Sequence, residues 1–135
     1  MELKKIPMCP SVNKIYATDF RTKRRFKSKD AIKFESDFSK WILTHEYQLG
    51  VIKTHLNTKE KHEIKIELEI EYYFPYSKIF CKNGKPKRLD HFNRSKMLID
   101  QLSKAIGIDD CYIFKTTEEK LVDEKEYINL KVMIK

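Results

Sequence analysis

Along Leu89–Asp100, LDHFNRSKMLID, the residues Asp90, Asn93, Lys96 and Asp100 recur at intervals of three and four. On a helix this spacing gathers Asn93, Lys96 and Asp100 into an arc about 60° wide, with Asp90 at the helix entrance. A second acidic pair follows in Gly107-Ile-Asp-Asp110. If these residues open a strand, only one of Asp109 and Asp110 can aim at the helix, because neighbours on a strand point to opposite faces. Carboxylates brought together repel and raise each other's pKa unless a cation lies among them. Two or three hard oxygen donors with open positions suit magnesium, which keeps several waters and fills its shell from a substrate phosphate. The chemistry that follows is phosphodiester hydrolysis, with water activated by the ion and Lys96 balancing charge at the reacting phosphate. Each residue also has a plainer use. Asp90 can be an N-cap, Lys96 and Asp100 an i,i+4 pair, and Asp109-Asp110 a tight turn.

These residues need elements to hold them. Phe92, Leu98, Ile99, Leu102 and Ile106 form the apolar arc of the helix that carries the seam, and Gly107 is its stop. Asp30–Leu43 repeats Ile32, Phe34, Phe38, Trp41 and Ile42 at near-helical spacing, with Ser28 or Asp30 as the cap. Glu63–Phe74, EIKIELEIEYYF, alternates strictly and predicts a half-buried strand. Cys111–Thr116 and Tyr127–Ile134 predict two further strands, joined by the polar TTEEKLVDEKE as a hairpin loop. Everything before the first helix reads as irregular. The expected fold is a small α/β (α+β) domain spanning residues 1–135, with a mixed sheet and two main helices.

The net charge of +8 is concentrated in two places. Ser11–Lys33 has eight lysines and arginines against two aspartates, and Lys78–Lys96 has seven against one, so each is +6 and the remainder is acidic by 4. Two such segments attract a polyanion, although lysine-rich surfaces also arise for solubility alone. In the densest run, RTKRRFKSK (Arg21–Lys29), six of nine residues are basic and Phe26 sits among them. Arginine beside an aromatic suits phosphate contact with a base stacked alongside, and Phe26 serves equally well as a buried anchor. Cys9, Cys81 and Cys111 form no C-x-x-C pair. They fit a reducing compartment, and a zinc site from Cys81 and His91 lacks the paired ligand spacing. With no apolar run of about eighteen residues, a soluble cytoplasmic protein is expected.

The order of a basic loop, then D-x-x-N-x-x-K-x-x-x-D-x-L from Asp90, then GIDD, resembles the RusA-type Holliday junction resolvases, small phage and bacterial endonucleases. The N-terminal PSVNKIY…RTKRRFKSKDAIKFE is similar to their start, so the resemblance covers nearly the whole chain. It implies a homodimer that binds four-way or branched DNA in recombination and repair and nicks two symmetric strands. The implied cofactor is magnesium, with manganese as the alternative. By position, the resemblance makes Asp90, Lys96 and Asp110 catalytic and assigns metal binding to Asp90 and Asp110, with Asp109 as a further candidate. It makes Asn93 and Asp100 supporting residues. The DNA contacts would come from Lys14, Arg21, Lys23, Arg24, Arg25, Lys27, Lys87, Arg88 and Arg94. The family's usual D-x-D-N has Phe92 here in place of its second aspartate, and Phe cannot ligate a metal. That leaves Asp109, Asp100 or a strand glutamate such as Glu69 to compensate, a shell completed by water, or a junction-binding protein that cuts weakly or not at all.

Overall fold

The computed structural model describes residues 1–11, 15–89 and 94–135. Lys14, Asp90, His91, Phe92 and Asn93, named above, lie outside the described residues. Among the described residues, six strands and four α-helices make a mixed α/β fold. The strands are β1 (Glu2–Ile6), β2 (Tyr16–Thr18), β3 (Arg25–Lys27), β4 (Ile66–Phe74), β5 (Ile113–Val122) and β6 (Tyr127–Ile134). The helices are α1 (Lys29–Thr44), α2 (Glu46–Asn57), the single-turn α3 (Tyr76–Ile79) and α4 (Ser95–Ile106). The main sheet runs β1-β6-β4-β5, and β2 and β3 form a separate antiparallel ribbon. Within the main sheet β4 is antiparallel to β6 and parallel to β5.

β4 follows its sequence pattern. Ile66, Leu68, Ile70, Tyr72 and Phe74 are almost completely buried, and the intervening residues point to the other face. The core is built on that buried face from Ile128, Leu130 and Val132 of β6, Leu3 and Ile6 of β1, and the inner sides of the helices. α1 contributes Phe34, Phe38 and Trp41, and the Trp41 indole N–H donates to the Lys4 carbonyl at 2.9 Å, tying α1 to β1. α4 contributes Met97, Leu98, Leu102 and Ile106. Ser28, not Asp30, caps α1, its hydroxyl accepting from the Ala31 N–H at 3.2 Å.

Several expectations change. The N-terminal region is ordered into β1 and the β2–β3 hairpin. In β1 the buried Leu3 and Ile6 are three apart because the strand bulges at Lys4-Lys5, with Lys5 at φ 57°, which breaks the alternation that marks a strand. α2 adds a third long helix, burying Leu49, Ile52 and Leu56. Ile32, predicted to pack inward, is 56% exposed, and Ala31 takes the core position beside it. TTEEKL is not a hairpin loop: Thr116–Leu121 belongs to β5, and β4 lies between β5 and β6. As a sheet edge, β5 keeps polar Thr116, Glu118 and Lys120 even on its helix-side face, so no apolar alternation announces it.

Leu98 is fully buried, so Leu98→Ala is expected to lower unfolding free energy by about 2–5 kcal/mol in urea titrations. The same measurement on Ile32→Ala should stay within about 0.5 kcal/mol of wild type.

Candidate nuclease site and nucleic-acid interface

α4 carries Lys96 in its first turn and Asp100 one turn later. Both are exposed on the side away from Leu98 and Leu102. Among the described residues they form no ion pair with each other. The helix ends where predicted: Gly107 adopts the left-handed conformation at φ 71°, its N–H donating to the Ser103 carbonyl, and Ile108 N–H donates to the same oxygen at 3.1 Å. The chain then turns back, and the carboxylates after the helix are not in a strand. Asp109 caps a 3-10 turn, Asp110–Tyr112, its Oδ1 accepting from the Cys111 N–H at 3.0 Å, and β5 starts only at Ile113. The strand argument that only one of the two could face the helix therefore does not apply. The Cys111 N–H and the adjacent Asp110 carboxyl hold Asp109 below the usual carboxylate range, while the Asp109 carboxyl beside it, partial desolvation and the charge of Asp100 push Asp110 above it. Asp109 and Asp110 thus form an exposed acidic pair just past the C-terminal end of α4.

This donor set suits a hard divalent cation: all oxygen, mutually repelling, exposed, and open to water for the rest of the shell. Among the described residues no three acidic, histidine or cysteine side chains converge tightly enough to hold a metal by themselves. Of the acids that could stand in for Phe92, Glu69 is removed by the fold. It lies on the open face of the sheet, opposite to the helices, because it alternates with buried Leu68 and Ile70.

At the other end of α4 the flanks of residues 90–93 are both anchored, by contacts that no motif signalled. Arg94 donates from Nη1 to the Cys9 carbonyl at 2.8 Å, and the Cys9 thiol donates to the Arg94 carbonyl at 2.9 Å. The guanidinium lies over the Phe74 ring at 5.3 Å. Arg94, expected to touch DNA, is thus turned inward in the structure. On the preceding side, Lys120 Nζ of β5 donates to the Leu89 carbonyl at 3.4 Å. Tyr72 donates to Glu118 at 3.2 Å, and burial pushes its phenol well above the usual range. A cleft of about 560 Å³ opens here, lined in part by Cys9, Ser11, Lys33, Lys87, Leu89 and Arg94. The only available sequence signal was the polar helix-side face of β5, which is visible only once β5 is recognised.

The basic run Arg21–Lys29 folds as the tip and returning strand of the β2–β3 hairpin and then the cap and first residue of α1. Asp19 organises the tip, its Oδ1 accepting from the Arg21 N–H at 2.9 Å and its carbonyl from the Lys23 N–H at 2.7 Å. Phe26 is not a buried anchor: it is 51% exposed, and Phe20 at the tip is 95% exposed. Arg25 lies over the Tyr16 ring at 4.8 Å, and Lys27 is paired with Glu35 of α1. Among the described residues Arg21, Lys23, Arg24 and Arg88 have no ion-pair partner and are exposed. Lys87 Nζ donates to the Ser77 carbonyl at 2.6 Å.

Carboxylates just past the end of α4 and, among the described residues, unpaired cations on a hairpin are features a nuclease could use. The comparison with known families gives the same class. A family model described as Endodeoxyribonuclease RusA matches residues 7–135. The chain belongs to the RusA endodeoxyribonuclease family. A search of the curated proteins found no match.

Burial pushes the Cys9 thiol up to about 12, whereas Cys111 is exposed. Titration with a thiol reagent at neutral pH should therefore modify Cys111 and Cys81 in the folded protein and Cys9 only on unfolding.

Proposed function

We propose that this protein is a magnesium-dependent, structure-selective endodeoxyribonuclease that resolves four-way or branched DNA by paired symmetric nicks. On this reading it acts as a homodimer, in the cytoplasm, in DNA recombination and repair. The observation that carries the reading is that a chain of this family has an exposed carboxylate pair, Asp109 and Asp110, and a hairpin whose Arg21, Lys23 and Arg24 are exposed and have no ion-pair partner among the described residues. Asp90 and Asp110 are the acids proposed to bind the ion, with Asp109 beside Asp110; they flank opposite ends of the twelve-residue α4, so within one protomer they would serve separate positions. When bound, magnesium supplies Lewis-acid activation of water and of the reacting phosphate; manganese is the alternative. Lys96 balances charge at that phosphate, and Asn93 and Asp100 support the set. The hairpin cations and Arg88 hold the backbone, with the exposed Phe20 and Phe26 available to stack on a base. A two-fold dimer matches a junction's own symmetry, so each protomer serves one strand.

Phe92, standing where the family usually has an acid, favours a second reading: a junction-binding protein that cuts weakly or not at all. One assay separates the two. A synthetic four-way junction incubated with magnesium or manganese should receive paired symmetric nicks from wild type and none from Asp110→Asn, with both proteins binding it. Tight binding by both without nicks sinks the enzyme reading.

Lys96→Ala should fold normally and lower single-turnover cleavage by about 10²–10³ while changing junction affinity little. Replacing Arg21 and Arg24 by Ala should instead weaken binding and reduce the slope of log affinity against log salt by about 2, read from binding isotherms at several salt concentrations.

A further inference from the structure

The β2–β3 ribbon is a separate sheet with its base tied to the domain and its tip closed into a fixed shape. At the base the Ser28 N–H donates to the carbonyl of buried Ile15 at 2.8 Å, and Lys27 pairs with Glu35 of α1. At the tip the Asp19 N–H donates to the Arg24 carbonyl at 2.9 Å, and the Lys23 N–H donates to the Asp19 carbonyl at 2.7 Å. Closing the loop puts Lys23 in the left-handed region at φ 56°, which costs a non-glycine residue free energy. Phe20 lies in this closed loop and is 95% exposed, the most of any large apolar side chain among the described residues. A single exposed apolar side chain is ordinary. Here Tyr16 and Phe26 are exposed as well, and Arg21, Lys23 and Arg24 stand among them.

Cations and aromatics meet DNA in different ways. Phosphates line linear and branched DNA alike, so Arg21, Lys23 and Arg24 favour both. An aromatic ring stacks on the face of a base. In a linear duplex those faces are covered by neighbouring pairs, only base edges reach the grooves, and prying a step open costs free energy. At a branch, where strands part, the stack is most easily opened, so the ring meets a base at least cost. Of the three aromatics Phe20 is the one placed for this. The Tyr16 ring already lies under Arg25 at 4.8 Å, and Phe26 sits within β3 opposite Ala17.

We propose that Phe20 is the residue that distinguishes branched DNA from linear duplex: the closed hairpin tip presents it to stack on a base at the branch point, while Arg21, Lys23 and Arg24 hold phosphates around it. The proposal rests on the branched-DNA reading above and assigns the preference for branches to one side chain. It also accounts for a phenylalanine left almost wholly in water on a ribbon whose phosphate binding needs none.

The test is binding of the full chain to a synthetic four-way junction and to a linear duplex of the same arm sequences, without a divalent ion so that neither is cut. Wild type should favour the junction. Phe20→Ala should bind the junction about 5- to 150-fold more weakly, the range of one base–aromatic stack, and the duplex within about twofold of wild type, its phosphate contacts being intact. Phe20→Trp should keep the preference, and Phe20→Leu, apolar but without a ring, should lose it. A 2-aminopurine placed at the branch should change its emission when saturated with wild type and far less when saturated with Phe20→Ala. Because Phe20 is exposed, all three variants should unfold in urea as wild type does. Undiminished preference in Phe20→Ala, or a Phe20→Leu as selective as wild type, overturns the proposal and leaves the branched-DNA reading standing. Equal losses on junction and duplex overturn it too, since the ring would then only support the hairpin. A wild type that binds both DNAs alike overturns the branched-DNA reading and the proposal with it. A Phe20-dependent preference in a protein that cuts no junction in magnesium upholds the proposal and counts against the nuclease reading.

Discussion

The parallel pairing of β4 with β5 is the constraint from which the rest of the site follows. A parallel pair cannot be closed by a tight turn; it needs a crossover that leaves one end of the sheet and returns to the other. Here that crossover is the segment between Phe74 and Ile113, and α4 is its main element. Because Leu98 and Leu102 are pinned to the sheet, with 0% and 1% of their surface exposed, the opposite side of α4 is fixed toward solvent, with Lys96 and Asp100 on it. The return to β5 then requires a helix stop and a reversal, which Gly107 and the Asp109-capped turn provide. The acids after the helix are where they are because the strand they lead into must start level with Ile66.

The other end of the crossover is held by a different kind of contact. Arg94 and Cys9 exchange hydrogen bonds through their side chains and carbonyls, and Lys120 reaches the Leu89 carbonyl. These bonds satisfy backbone groups where the chain passes into and out of residues 90–93, and backbone polar groups near a core need partners. Arg94 gains further from lying over Phe74. A cation in a basic segment has thereby been turned from the surface into a brace. Charge density along a sequence is therefore a poor guide to which individual cations remain available to a polyanion. Of the hairpin residues, Lys27 is likewise taken up by Glu35, while Arg21, Lys23 and Arg24 have no ion-pair partner among the described residues.

What could be read in advance depended on periodicity. β4 and α4 show clean apolar repeats, so their existence, their buried faces and the stop at Gly107 were legible from residue types alone, as were the family motifs of Asp90, Asn93, Lys96 and GIDD. α2 was hidden because its three buried residues are spread among Gly50, β-branched residues and polar ones. β1 was hidden by its bulge, and β5 was legible only over its first residues, within Cys111–Thr116, because at the edge even its later helix-side residues stay polar. At Asp109-Asp110 the residue types allowed both a tight turn and a strand start, and the structure has the turn, so the alternation argument does not reach them. The expected roles of Asp90 and Asn93 fall on residues outside the described structure, so they remain part of the proposal.

The central claim is that carboxylates after α4 take part in holding a divalent ion even though Phe92 replaces an acid. Titration of manganese into the full-length protein, followed by electron paramagnetic resonance, tests it most directly because it needs neither DNA nor turnover. The account predicts saturable binding of an ion to each wild-type protomer that is lost or much weakened in Asp110→Asn. No binding by the folded wild type, or binding unchanged in Asp110→Asn, would contradict it.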